Sequence, residues 1–522
     1  MNLRYSGKNT RFLSHSRFFY TICKEGENME ELIAIGWLLS LMTILISALI
    51  YQLPRVPEGF VYTHLILLVL PIMMAVFGLM YFEPEVLFGT FQMDIFNWVL
   101  ALYVSILNFV IQRFSIRYLH GDKNYRKYFL LFTWISGTTS ITWMIDNIFL
   151  FSVIWIFPFL GLVLLTRLNK EWKPANIESK QMEKIFFLSF LAVFFAVYLL
   201  HYTTGKWYLS EILMGNFTNN LLWQETFIIN LLIVLSAVIL AGQWPFHRWL
   251  IESAVIPTPV SAIMHAGLVN AGALLIWKFY PLFTNIYTHV FLLIIAFISI
   301  VIGVGINLVH VDYKRQLVAS TMAQMGLMLV QCALGAYSAA IIHLMLHGFF
   351  KATLFLQSGN AVPRPEYIGH IRKWSRFDRM FGIFLGISVG LLFWNNASEE
   401  PTRLISSLLL TASVAIGWGR LSFFRESRWI AALCLAGFAF LSEKLRERLM
   451  YLFQQSVELS FSLPLWVEWF VLILFLLFTA FFFILFNKRS SKNSYKFYLW
   501  LVALGEPKLT GIYQRSSKMR KE

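Results

Sequence analysis

The chain has 522 residues, 58% of them hydrophobic and only 14% charged, with a formal net charge of +15. A soluble protein of this length carries far more charge, so a soluble globular enzyme is excluded. The composition predicts an all-α polytopic membrane protein with no room for a soluble domain.

About 20 apolar residues cross a bilayer, and such runs recur along almost the whole chain. In order they are Ile33–Leu53, Val61–Phe82, Ile95–Ile111, Tyr128–Met144, Ile148–Thr166, Ile185–Leu200, Phe227–Gln243, Val260–Phe279, Val290–Val309, Leu317–Leu334, Ala339–Gln357, Met380–Phe393, Leu404–Gly417, Trp429–Leu441 and Trp466–Phe486. Allowing for miscounting among the weak segments near 380–441, this predicts 13 to 15 membrane helices. Residues 1–28 precede the first span. They carry Arg4, Lys8, Arg11, Arg17 and Lys24 without the continuous apolar core of a signal peptide, and read as a non-native or disordered extension.

The basic charge is distributed as a topology signal, since Lys and Arg near helix ends mark the cytoplasmic side. Alternate connections hold Arg55; Arg113, Arg117, Lys123, Arg126 and Lys127; Arg167 to Lys184; Arg248; Lys314 and Arg315; Arg364 to Arg379; and Arg420 to Arg428. The intervening loops hold Lys206, Arg403 and one sizeable exception, Lys444, Arg446 and Arg448. This predicts an outside N-terminus and a cytoplasmic C-terminus in a cell membrane, and argues against a nucleic-acid site. Cys23, Cys332 and Cys434 show no metal spacing, and Gly303 to Gly305 suits helix packing better than a phosphate loop because no strand pattern precedes it. Neither a cofactor nor a metal site is legible in this chain.

Polar residues inside the apolar runs are functional candidates by default. The first cluster is QWPFHRWLIESAVIPTPVSAIMHAGLVNAGALLI, residues 243–276. Pro245 removes a backbone donor and should break the seventh helix. Pro257 and Pro259 should open the eighth in its first turn, with Thr258 or Ser261 able to cap. His265 follows about 9 Å along that helix. Two readings stay open for it: a proton relay, for which neutral imidazole is suited, or a structural histidine holding a broken helix together.

The second cluster is IIHLMLHGFFKATLFLQSG, residues 341–359. His343, His347 and Lys351 are spaced by four and form one stripe rising roughly 12 Å. Lys351 could snorkel toward the basic loop that begins at Arg364. The two histidines favour a hydrated proton path over plain interhelical hydrogen bonding. The third cluster starts at Asp312, Lys314 and Arg315, where orientation and capping account for the charges. Ser320, Thr321 and Gln324 could extend a polar route into the tenth helix. His64 and Glu468 lie in or near apolar spans with no partner legible in the sequence, and receive no role.

PTPVSAIMHAGLVNAGALLI, DYKRQLVASTMAQMGLML and HLMLHGFFKATLFL resemble the signature helices of the proton-conducting antiporter-like family. This family includes chain 5 (L-like) membrane subunits of NADH:quinone oxidoreductase and subunits of multisubunit cation/proton antiporters. FSIRYLHGD, residues 114–122, resembles the loop after that family's third helix. The resemblance implies two inverted five-helix repeats with broken helices, here residues 113–280 and 281–430. They would be preceded by N-terminal helices over 29–112 and followed by C-terminal helices over 431–487 and a basic cytoplasmic tail over 488–522. It also carries His265, His343, His347 and Lys351 onto matching positions. Two departures stand out. Ile156 follows Trp155 where pumping members have Glu, and Leu240 stands where they have Lys.

MHAGLVNAGALLI, FKATLFLQSGNAV and the modest length are most similar to DabB-type membrane subunits of inorganic-carbon transporters. That resemblance implies a large peripheral, zinc-containing partner with carbonic-anhydrase-like chemistry. A cation, H+ or Na+, would drive net conversion of carbon dioxide to bicarbonate, with any catalysis in the partner. The alternatives are a proton-translocating subunit of a quinone-linked dehydrogenase or cation/proton antiporter, and a non-conducting scaffold.

Overall fold

The structure is a computed structural model that describes residues 31–81, 86–169, 171–214, 222–360, 376–396, 403–421, 437, 444, 464–487 and 492–506. Helices fall on the expected spans: α1 (Glu31–Ile50), α2 (Phe60–Leu67), α3 (Val69–Met80), α4 (Ile95–Tyr118), α5 (Tyr125–Met144), α6 (Ile148–Ile154), α7 (Ile156–Arg167) and α8 (Lys173–Thr204). There follow α9 (Leu209–Met214), α10 (Trp223–Leu240), α11 (Arg248–Glu252), α12 (Thr258–Ala266), α13 (Ala271–Lys278), α14 (Ile286–Val309), α15 (Tyr313–Ala333) and α16 (Tyr337–Leu356). The last are α17 (Arg376–Asn396), α18 (Arg403–Leu421), α19 (Leu465–Asn487) and α20 (Lys492–Gly505). The extension over 1–28 and the span Trp429–Leu441 lie outside the described residues, Gly437 apart.

Among the described residues, nine helical spans are long and apolar enough to cross a membrane. The expected spans at α5 and α15 are more polar. In α5 the hydroxyls bond back to the helix itself: Thr138 Oγ1 donates to the Trp134 carbonyl and Thr142 Oγ1 to that of Thr138, both at 2.7 Å. Such back-bonding makes a Thr-rich helix tolerable in an apolar setting.

The chain divides into two compact units, residues 1–151 and 152–522. In the first, Trp37 meets Trp98 edge-on at 6.0 Å. A short antiparallel hairpin, β1 (Val86–Phe88) and β2 (Phe91–Met93), precedes α4, although the sequence shows no strand pattern. Its two-residue turn contains Gly89 at φ +61°, a conformation that costs glycine little. Asp94 then caps α4 by accepting from Asn97 N at 2.7 Å. Arg126 donates to the carbonyls of Tyr51, Leu53 and Val56, tying the turn that follows α1 to the start of α5.

In the second unit, α14 and α15 pack closely. A Cβ at Gly303 would lie 2.8 Å from Ala323 N and 2.9 Å from the Ala319 carbonyl oxygen, so helix packing is what this glycine allows. Part of the expected tail is helical: α20 packs on α14, with Leu501 buried against Gly305.

Candidate functional site

The break in the seventh span is made by glycine rather than proline. Helix α10 stops at Leu240, ahead of Pro245, because Gly242 adopts φ +60° and the amides of Gly242 and Gln243 close back onto the Ile239 and Val238 carbonyls. This is a left-handed C-terminal closure, which frees the following backbone. The freed groups find partners, as an apolar interior requires. Trp244 N donates to Ser299 Oγ at 2.9 Å, and Gln243 Nε2 donates to the carbonyls of Ala241 (2.7 Å) and Met322 (3.2 Å).

The capping expected of Thr258 or Ser261 does not occur. Pro257 is the extended cap residue of α12, Thr258 is already helical, and the Ser261 hydroxyl donates to the Ile256 carbonyl at 3.3 Å. Pro259 lies in the first turn as expected. The eighth span is itself interrupted: Ala266 ends α12, and one 3-10 turn, Leu268–Asn270, leads into α13.

His265, near the end of α12, is fully buried and stacks on Phe355 of α16 at 4.4 Å with the rings nearly parallel. Neither ring nitrogen has a hydrogen-bond partner among the described residues. It holds no helix together by hydrogen bonding, yet it lies within electrostatic range of Lys351, Lys314 and His347. The first and second sequence clusters therefore meet.

The stripe on α16 faces α15. His343 sits between two glutamines of α15, with Nδ1 3.1 Å from Gln331 Oε1 and Nε2 3.0 Å from Gln324 Oε1. A neutral imidazole has a single N–H, so with both amide oxygens accepting the ring is an imidazolium. Turning one amide to donate suits the neutral ring. The Gln–His–Gln bracket thus accommodates either protonation state by rotation of one side chain.

His347 is one turn further, its ring 6.0 Å from that of His343 and perpendicular to it, and its Nε2 is buried without a hydrogen-bond partner among the described residues. Lys351 does not snorkel. It is 2% exposed and turned inward, donating to the Leu317 carbonyl at 2.8 Å and to Ser320 Oγ. Two acceptors from α15 hold the ammonium where it would otherwise be costly.

The remaining expected members divide. Ser320 and Gln324 join the line through Lys351 and His343. Thr321 is buried but spends its hydroxyl on the Leu317 carbonyl of its own helix at 3.0 Å. Asp312 caps α15 by accepting from the amides of Lys314 and Arg315. Lys314 reaches the Ile256 carbonyl, tying the start of α15 to the start of α12. In the loop before α15, burial and the Arg315 guanidinium hold the His310 imidazole below the usual histidine range. Ile156 opens α7 and Leu240 ends α10 fully buried, so neither position supplies a charge.

Two features escaped the sequence reading. Gln331 brackets His343 from seven residues beyond Gln324, two turns along the same face of α15. His64, given no role there, is fully buried in the first unit and partnered on both nitrogens. Nδ1 lies 3.1 Å from Ser47 Oγ, and Nε2 lies 3.2 Å from Gln112 Oε1 and 3.1 Å from Thr133 Oγ1. Gln112 continues the network to Asn108. A polar residue on each of several helices was the available signal, but only packing shows that they converge.

The model of the membrane domain shared by NADH:quinone oxidoreductase and Mrp antiporters matches residues 145–429, and that of the complex I chain 5 N-terminus matches residues 88–129. The chain belongs to this family. It is 44% identical over 473 residues to the probable inorganic carbon transporter subunit DabB of Bacillus subtilis (strain 168), covering 90% of this chain and 94% of that protein. The corresponding Bacillus anthracis protein is 40% identical over 486 residues, covering 91% and 94%. NAD(P)H-quinone oxidoreductase subunit 5 of Manihot esculenta chloroplasts is 29% identical over 52% of this chain and 37% of its own length. Among solved structures, the Mrp complex from Dietzia sp. DQ12-45-1b contains a similar chain, with a TM-score of 0.60, 19% identity and coverage of 91% of this chain and 59% of that one. That likeness shows the fold, an all-α helical membrane bundle. Family and relatives together make this chain a multi-pass membrane subunit of a transporter.

Proposed function

We propose that this chain conducts a cation, H+ or Na+, as the membrane subunit of an energy-coupled inorganic-carbon transporter. The observation that carries the conducting half is the line Gln331–His343–Gln324, His347 and Lys351–Ser320, in which His347 and Lys351 are buried and the other four half-buried, with His265 in electrostatic range of its Lys351 end. Hydrogen-bonded groups that change protonation state by small rotations are what a relay through an apolar interior needs. The carbon half rests on the likeness to the Bacillus DabB proteins along nearly their whole length.

In this reading, hydration of carbon dioxide to bicarbonate, which releases a proton, takes place on a large peripheral zinc-containing partner with carbonic-anhydrase-like chemistry. Downhill cation movement through this chain makes that conversion directional. The N-terminus lies outside and the C-terminus in the cytoplasm, which sets the basic loops facing the partner. A second reading, a non-conducting scaffold, is favoured by Ile156 and Leu240, which leave the family's glutamate–lysine pair absent.

Deletion of the gene is expected to impair growth in ordinary air and to be rescued by air enriched in carbon dioxide. A defect that enrichment leaves in place refutes the carbon reading. Purification is expected to bring down a large zinc protein, whereas flavin and iron–sulfur subunits would assign the chain to a quinone-linked dehydrogenase.

A further inference from the structure

The half of the molecule that lacks the family's glutamate contains another buried carboxyl. Glu178 lies in the second turn of α8, 2% exposed, and neither carboxyl oxygen has a hydrogen-bond partner among the described residues. With 32 residues, α8 is roughly 48 Å long, well beyond the ~30 Å of a hydrocarbon core. Lys173, Glu178, Lys180, Glu183 and Lys184 crowd its first twelve residues, so the crossing part begins near Ile185 and Glu178 sits just before it.

Helix α8 packs against α7, α10, α11 and the turn Ser253–Val255, with Phe186 edge-on to Trp249 of α11 at 4.9 Å. The charged groups on these neighbours can be placed. Arg167 of α7 is engaged with Glu183 at 2.5 Å. Glu225 caps the far end of α10 by accepting from Leu222 N. Arg248 of α11 acts on His247. On α8 itself, Lys180 and Lys184 are exposed. Glu252, at the end of α11 and buried, is the one whose charge acts on Glu178. Ser179, next in sequence and fully buried, donates to the Asn176 carbonyl instead.

An ionised carboxylate with no hydrogen bond and no cation is too costly to bury, and such a group takes a proton instead. A second carboxyl nearby acts in the same direction. We propose that Glu178 is a proton-binding site: a neutral carboxylic acid on the part of α8 that packs against α11, which gains and loses one proton. The step is simple proton transfer, the O–H bond of one carboxyl breaking as the proton moves to an acceptor, with no oxidant or further reactant. Its purpose, loading the half of the path in which Ile156 and Leu240 stand, rests on the conducting reading; its chemistry does not.

Infrared difference spectra of the full chain in its complex, wild type against Glu178→Gln at neutral pH, test it. A protonated-carboxyl band present in the wild type, lost in the variant and unmoved by sodium is expected. Absence of that difference, or its loss on adding sodium, overturns the proton site. Should Glu178→Gln not accumulate, the wild type titrated upward from neutral pH must show the same band recede, and a constant spectrum overturns the site equally. Transport is expected to fall at least about tenfold in Glu178→Gln and to be unchanged in Glu183→Gln; equal rates in both refute the loading role. A band that is present while carbon dioxide fails to rescue growth would sink the carbon reading alone. An absent band with rescue intact would sink this inference alone.

Discussion

At the scale of residues, the proposed conduction rests on ionisable side chains drawn into the helix packing, His347 and Lys351 foremost. Lys351 shows how such a group is kept: two oxygen acceptors from α15 replace its hydration. Replacing it by Met should leave the packing nearly intact, because the stem is retained, while removing the ammonium. We expect Lys351→Met, like His347→Ala, to reduce transport at least about tenfold, equivalent to roughly 1.4 kcal/mol of barrier, without loss of membrane insertion. Vesicle uptake beside a membrane-fraction blot measures both. Full activity in both variants would favour the scaffold. The spacing of His343, His347 and Lys351 was legible in the sequence because a helix imposes its own period. The inward turn of Lys351 was not, since a lysine near a helix end can reach either an interface or a neighbouring helix. The choice depends on which acceptors the neighbour offers.

At the scale of elements, broken helices are built by local backbone chemistry and held by neighbours. The sequence placed the first break at Pro245, the residue that cannot continue a helix. The helix had already ended at Leu240, and the positive φ of Gly242 lets two amides close back on the last turn. The distinction is physical: proline forbids continuation, whereas glycine permits an earlier exit that tertiary contacts then fix. Close approach of α14 and α15 is likewise set by one hydrogen atom. Gly303→Val would drive a branched side chain into the Ala319–Ala323 backbone. We expect a loss of about 1–3 kcal/mol, the usual cost of overpacking, read as a lower melting temperature in detergent, whereas Gly359→Ala, with open space around it, should be neutral. Equal melting of the two variants would contradict the close packing of α14 on α15.

At the scale of the whole molecule, the orientation we propose follows from where the basic residues fall. A cysteine placed at Lys123 should react with an impermeant thiol reagent only from the cytoplasmic side, and one at Lys206 only from outside. The opposite pattern would invert the topology and move the proposed partner to the other face. The class of the protein is legible in its residues alone, because a bilayer demands apolar runs of about 20 residues and the chain is built from them. Also legible there are the ionisable residues that lie inside those runs. Which polar side chains come together depends on the packing of the helices. His265 with Phe355, Gln331 with His343, His64 with Ser47, Gln112 and Thr133, and the Glu178 helix with α11 are all separated by many residues in the chain. Partnership inside a helical bundle depends on how each helix is rotated against its neighbours, and that rotation is fixed by packing contacts that no single segment encodes.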